Sequence, residues 1–341
     1  MGIKKRAFTL ISIFLFFSTN FILCRSALRK SQEKKPRIEV SEIDKPKNIY
    51  YFINNNLEIN PIFKTFDKQF FYQNMLPEKI VYRYDKTKYA SKEELNEKLE
   101  NLIKEIYKKK KLYTDFTILK QKDFNRGEKS GLLILKFKNY PFVVKMFMEN
   151  PKSFVQPYSK GICPSFFFDM SGGIGRHLLG FTRIKNLHYI QEKISQESEW
   201  KDKITIPRKW YWLPKNPKNI KITGKNFLKN NNYIETIIPG TYCLIADEIN
   251  LKDAKLSMSN RNSREKCMSL CNFLDVRIDP NMNNFLLEKN TDKIAIIDTE
   301  HYPTIVGLKE KQKFSGYLTW YYEMVARWLD TMYFKPKSIA K

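Results

Sequence analysis

Cysteine, histidine and acidic residues are all in short supply in this 341-residue chain, and each shortage removes a class of function. Five cysteines (Cys24, Cys163, Cys243, Cys267 and Cys271) form no C-x-x-C pair and keep no zinc spacing with the three histidines, so a zinc ribbon or finger is excluded. An odd, sparse set is no disulfide framework either, and it demands no oxidising compartment. Cys267 and Cys271, four residues apart, share a helical face and are expected to pack as small apolar groups. Acids number 36 against 61 Lys and Arg, a formal charge of +25. The excess is spread through plain helices and loops such as "KNIYYFINNN" and accompanies no recognised binding module, so no nucleic-acid partner is expected. Internal repeats are absent as well.

What is present begins with an apolar run. "MGIKKR" followed by "AFTLISIFLFFSTNFILC" is a basic region and then a stretch whose uninterrupted core, Phe8 to Phe17, has signal-peptide length. The run to Cys24 is about long enough to span a bilayer, though Thr19 and Asn20 interrupt it. Residues 7–24 are therefore expected to export the chain or to tether it to a membrane. If the segment stays uncleaved, six cations that follow it (Arg25, Arg29, Lys30, Lys34, Lys35 and Arg37) outnumber the three that precede it. That bias would hold the large domain in the cytoplasm.

The body of the chain is 42% hydrophobic and 14% aromatic, enough for one large domain or two lobes and too much for general disorder. Residues 25–48, charged and punctuated by proline, read as a linker. "SKEELNEKLENLIKEIYKKKK" opens with a capping box, Ser91 to Glu94, and sets Leu95, Leu99, Leu102, Ile103 and Ile106 on one face of a helix. Strands follow at "DFTILK", "LLILKFK" and "FVVKMFM", separated by turn residues. The region 150–240 reads as irregular, with a helix-like run "RHLLGFTRIKNLHYIQEKIS" and a strand-like "KITIPRKWYWLP". "TYCLIADEIN" is another strand, "SREKCMSLCNFL" a helix, and "NFLLEKNTDKIAIIDTE" a strand pair. An aromatic helix, "SGYLTWYYEMVARWLDTMYF", comes near the end. A strand-rich block followed by a helix-rich block predicts an α+β fold.

Three polar residues stand in apolar surroundings. Asp279 and Asn284 share the turn "DPNMNN", and Asp298 closes the run "IAII". The order "FVVK", helix, "DPNMNNFLL", "IAIIDTE" resembles the protein-kinase-like superfamily, which includes the aminoglycoside and choline phosphotransferases. The resemblance covers roughly residues 115–335 and implies a two-lobed fold. On that basis residues 49–112 form an N-terminal helical extension, 113–250 an N-lobe with an insertion, and 251–341 a truncated C-terminal lobe.

The resemblance also implies chemistry. Lys145 would meet the phosphates of ATP, and Asp279 would orient an acceptor hydroxyl as the catalytic residue. Asn284 and Asp298, with Glu300 of the D-x-E sequence, would hold magnesium through oxygen ligands. The implied activity is transfer of the γ-phosphate of ATP to an unknown small-molecule or protein hydroxyl.

The chain departs from the family pattern in four places. Arg277-Ile278 stands where the family has His-Arg, and no G-x-G-x-x-G precedes Lys145, only Gly127 and Gly131 in "NRGEKSG". About forty residues follow Asp298. No acid that would pair with Lys145 is identified by its position, Glu192 being the one candidate. These departures open a second expectation: a catalytically silent kinase-like binding module. His301, next to the D-T-E sequence, is expected at most to orient that acid.

Overall fold

The computed structural model describes residues 38–43, 68–125, 130–148, 180–225, 233–252, 256, 260–289, 291, 293–301, 313–320 and 322–323. The targeting segment 7–24, Gly127, His177 and most of the aromatic helix lie outside them. Among the described residues, no helix is long and apolar enough to cross a membrane.

Alternating side chains build the main sheet. Strands β4 (Phe116–Asn125), β5 (Ser130–Phe137), β6 (Phe142–Met148), β8 (Lys209–Trp212) and β11 (Thr241–Asp247) join in the order β4-β5-β6-β11-β8. All four pairings are antiparallel. Because successive side chains leave a strand on opposite faces, Phe142, Val144, Met146 and Met148 of β6 enter one core while Lys145 faces the other way. In register beside Lys145 is Leu244 of β11, itself opposite Tyr211 of β8. Lys209 and Tyr211 of β8 therefore share the Lys145 face.

Helix α2 (Lys92–Tyr107) covers the opposite face. Its capping box is formed as expected, with Ser91 Oγ accepting from Glu94 N–H and the Glu94 carboxylate accepting from Ser91 N–H. Leu95, Leu99, Leu102 and Ile106 are fully buried in one cluster with Phe137, Val144, Met146, Cys243 and Ile245. This helix is thus the back layer of the sheet. Ahead of it, α1 (Lys68–Gln73) leads to the hairpin of β2 (Lys79–Val81) and β3 (Tyr89–Ser91).

A second core joins α3 (Thr182–Ser195), the short α4 (Ser198–Lys201) and α5 (Arg261–Phe273) to the hairpin of β12 (Phe285–Leu287) and β13 (Ile294–Ile296). The expected strand "KITIPRKWYWLP" is split. Its first part, β7 (Ile204–Thr205), runs parallel to β13, and β8 joins the main sheet. Pro207, which has no N–H to give to a ladder, stands between the two parts.

The expected linker and the expected irregular middle also prove to hold strands. β1 (Ile38–Ile43) pairs with β9 (Asn219–Lys225), which pairs with β10 (Tyr233–Pro239). Ile38 and Val40 alternate with polar residues, a two-residue period hidden by the charged flanks.

An ion network clasps the hairpin β2–β3 to the C-terminal half. Arg83 donates to Glu288 through Nε (3.1 Å) and Nη2 (3.0 Å), and Tyr84 donates to the same carboxylate at 2.6 Å. Arg208 holds Asp247, at the end of β11, through Nε (2.8 Å) and Nη2 (2.7 Å). Since α2 supplies the back layer of the sheet, Leu99→Ala is expected to cost about 2–5 kcal/mol of global stability, read by urea unfolding as a lower midpoint of one cooperative transition. A loss confined to a separate early transition would mean that the helix folds apart from the sheet.

Candidate functional site

The face of the sheet that carries Lys145 meets the N-terminal turn of α3 and the segment that follows β13. Helix α3 comes close to the sheet because of Gly180, where an added Cβ would lie 1.9 Å from the Tyr242 hydroxyl oxygen. Phe181 then stacks on Tyr242 at 4.2 Å, and Tyr242 stacks on Phe147 at 4.8 Å. This aromatic floor leaves Arg183 with its guanidinium 5.3 Å from the centre of the Phe147 ring.

Asp298 is the meeting point. Its Oδ2 accepts from Lys145 Nζ at 2.9 Å, and its Oδ1 accepts from Arg183 Nε at 2.9 Å. Arg183 Nη2 also donates to Glu300 Oε2. Between the two acids, Thr299 is fully buried, and its hydroxyl donates to the Arg183 carbonyl at 2.7 Å while accepting from Lys209 Nζ at 2.8 Å. Burial pushes the Asp298 carboxyl up, but Arg183, Lys145 and Lys209 together outweigh it and hold the group far below the usual carboxylate range. Burial lowers the Lys145 ammonium; Asp298 opposes that effect and Arg183 adds to it, leaving the group below its ordinary value. Lys209 is held well below its ordinary value by burial and then by repulsion from Lys145.

The second part of the site is the loop after α5. The chain leaves that helix through Asp275 and Val276, both left-handed at φ 52° and 55°. For β-branched Val276 this is a strained conformation. Val276 is buried and its N–H donates to Cys271 O at 2.7 Å, while Asp275 is fastened by Tyr189 (2.9 Å) and Lys193 (2.6 Å) of α3. Asp279 Oδ1 then accepts from Asn281 N–H at 3.0 Å, and Asn284 Nδ2 donates to the Asp279 carbonyl at 3.2 Å. Asn284 O accepts from Ile297 N–H at 2.9 Å, which ties the loop to the residue before Asp298. Loss of water around Asp279 raises its carboxyl to about 7; Asn281 N–H opposes this, whereas the charges of Glu300 and Asp298 add to it.

The structure thus brings Lys145, Asp298 and Glu300 into one ion cluster and ties the Asp279–Asn284 turn to it. The acid paired with Lys145 is Asp298. Glu192 is exposed on α3, where its carbonyl accepts from Ser195 Oγ, and it takes no part. His301 contributes its backbone, donating N–H to Thr182 Oγ1 at 3.1 Å, and its imidazole is held down to about 3, first by burial and then by Arg277 and Lys185. Arg277, in the position before Ile278, donates to Asn186 Oδ1 at 3.0 Å and lies 3.8 Å from the Tyr189 ring centre.

Arg183 and Lys209 are the members that sequence reasoning passed over. A signal for Arg183 was available. It falls in line with Leu187, Ile190 and Ile194 on the buried stripe of α3, where a cation requires a partner.

Magnesium ligation by Asn284, Asp298 and Glu300 meets a difficulty of charge. Both oxygens of Asp298 already face cations, and Glu300 is engaged by Arg183. As they stand, these donors do not fit a divalent cation, which would enter beside three positive side chains. Among the described residues, no three His, Cys, Asp or Glu side chains gather as a metal-holding group. No protein-family model matches the chain, and no curated protein or solved structure matches it.

The raised Asp279 carboxyl has a consequence for stability. A carboxyl whose folded pKa lies above its unfolded value stabilises the fold while protonated. The contribution is complete below the ordinary 3.8 and is lost as pH climbs through about 7. Asp279→Asn removes this titration with little change of shape. In chelator, the stability of the wild type relative to the variant is expected to fall between about pH 4 and about pH 8, measured by urea unfolding. A constant difference across that window would put Asp279 in water.

Proposed function

We propose that this chain is a divergent kinase-like module whose cleft binds the phosphates of a nucleotide such as ATP. One observation carries the reading. A lysine on the third strand of a five-stranded antiparallel sheet is ion-paired at 2.9 Å with an aspartate that follows the C-terminal hairpin, and the D-x4-N turn is hydrogen-bonded to that hairpin. In this reading β4–β6, β8 and β11 with α2 make the N-terminal lobe, and α3 runs from the Lys145 face of the sheet into the second core. Helix α5, the turn 279–284 and the hairpin β12–β13 make a short C-terminal lobe. β11 leads from one to the other, and the Arg83–Glu288 pair ties the β2–β3 hairpin to the end of β12.

Binding, with no chemistry performed, is the role that the local charges favour. Asp298 and Glu300 are spent on neutralising Lys145 and Arg183, so the carboxylates that a phosphotransferase would turn toward a metal are turned toward protein cations. Such a module would act by presenting a nucleotide-stabilised surface after export or at a membrane, wherever residues 7–24 take it.

Phosphotransfer to an unknown hydroxyl acceptor is the second reading, and the Asp279 carboxyl favours it. A carboxylate raised to about 7 is suited to accept a proton from an incoming hydroxyl near neutral pH. If this reading holds, Asp279→Asn abolishes turnover and leaves nucleotide affinity nearly unchanged, because an acceptor-orienting acid acts only when the acceptor is present.

The test is nucleotide binding by the whole chain and by Lys145→Met. The wild type is expected to gain thermal stability with ATP or ADP, and the variant to keep its fold while losing affinity by about tenfold or more. Asp298 stays paired with Arg183 in the variant, so the loss would report on the ligand and not on an abandoned buried acid. Equal affinity of the two proteins would remove Lys145 from the site, and a wild type that binds no nucleotide would end the reading.

A further inference from the structure

Three cations and two carboxylates are packed where Lys145, Arg183, Lys209, Asp298 and Glu300 meet. Lys145 and Arg183 are matched to the acids, but Lys209, 7% exposed, has its one hydrogen bond among the described residues with the neutral Thr299 hydroxyl. Among the described residues no carboxylate is within ion-pairing distance of this amine, which burial and Lys145 hold well below its ordinary value. A second feature points the same way. Arg183 is 2% exposed, and its Nη1 has no hydrogen-bond partner among the described residues. An unpaired guanidinium nitrogen in the interior is costly unless a ligand can meet it. Lys145 (18% side-chain exposure), Asp298 (20%) and Glu300 (17%) form the part of the cluster that solvent or a ligand can reach, with Arg183 and Lys209 behind them.

Charge and donors together call for an anion with several oxygens. Adding a divalent cation would instead put two more positive charges beside Lys145 and Arg183, which already match the two carboxylates. It would also have to displace Arg183 from Asp298 and Glu300, both of which it holds through separate nitrogens. A guanidinium fork is well matched to the oxygens of a phosphate, as it is to those of a carboxylate.

We infer that the cluster binds the phosphate groups of a nucleotide without a divalent cation, with Arg183 supplying from α3 the positive charge that a metal would otherwise bring. This rests on the nucleotide-binding reading above and assigns that site its ionic requirement. Lys145 receives the phosphate oxygens at the mouth of the cluster, and Arg183 and Lys209 supply the field behind it. Asp298 and Glu300 serve as counter-charges that keep the cations in place while the site is empty. Magnesium complexed to the nucleotide then competes with the protein for the same phosphate oxygens and gives nothing in return.

The experiment is a titration of the whole chain with ATP by isothermal calorimetry, once in chelator and once in excess magnesium chloride. The expected result is binding in chelator at least as tight as in magnesium. Arg183→Gln is expected to weaken binding in chelator by about tenfold or more and to make binding magnesium-dependent, since it frees two acids and removes one cation. Arg183→Lys, which keeps the charge, restores part of the chelator affinity. If Arg183→Gln does not fold, manganese titration of the wild type, followed by paramagnetic resonance, decides the matter: no tight manganese site is expected with or without ATP.

Binding of ATP by the wild type in magnesium alone would overturn the inference and leave the nucleotide reading standing. So would a tight manganese site in the wild type. An absence of binding under both conditions would overturn both.

Discussion

The Asp298 carboxylate is the contact on which the rest of the site depends. It is held on one side by a lysine from the middle of the sheet and on the other by an arginine from the first turn of α3. Three elements that are far apart in the chain converge on one pair of oxygens. Taking such charges out of water is expensive, and it is tolerated because each has a partner at hydrogen-bonding distance. Removing one partner of a buried pair of this kind costs about 3–5 kcal/mol, most of it from the charge left behind. The triad therefore contributes less to net stability than to which arrangement is adopted, since any register that separates Asp298 from both cations strands a buried charge.

Around that point the fold acts as a set of spacers. Helix α2 fills the back of the sheet with leucines, which leaves the opposite face free for polar work. Alternation along β6 then decides that Lys145, and not Val144 or Met146, looks toward α3. Gly180 lets α3 approach until Phe181 stacks on Tyr242, and the same approach puts Arg183 in reach of Asp298. On the other flank Arg83 grips Glu288, one residue beyond β12, and so fixes the hairpin that delivers Asp298. The Asp279 loop is held from both ends, by Asp275 on α3 and by the Asn284–Ile297 backbone bond.

The residue types that the kinase-like order led us to expect are all near one another, yet a single arginine on α3 alters what they can do. With it, Asp298 and Glu300 are both engaged by protein cations. Without it, Asp298 would keep only its contact with Lys145 and Glu300 would lose its contact with Arg183.

Local patterns determined a good deal of this protein by themselves. The two-residue period of "FVVKMFM", the Ser91–Glu94 capping box and the stripe of α2 each concern neighbours in sequence, and each element formed where its pattern stood. The order of Lys145, Asp279, Asn284 and Asp298 was legible for the same reason. What stayed hidden was every pairing across distance. Lys145 meets Asp298 over a separation of 153 residues and Arg183 meets it over 115, and no local period encodes such a choice. The segment 38–43 looked like a linker because its flanks are charged; a strand needs a partner, and its partner, β9, lies near residue 220. Only tertiary structure could decide which acid neutralises Lys145, because burial is what makes the pairing compulsory, and burial is a property of the packed layers and not of the chain.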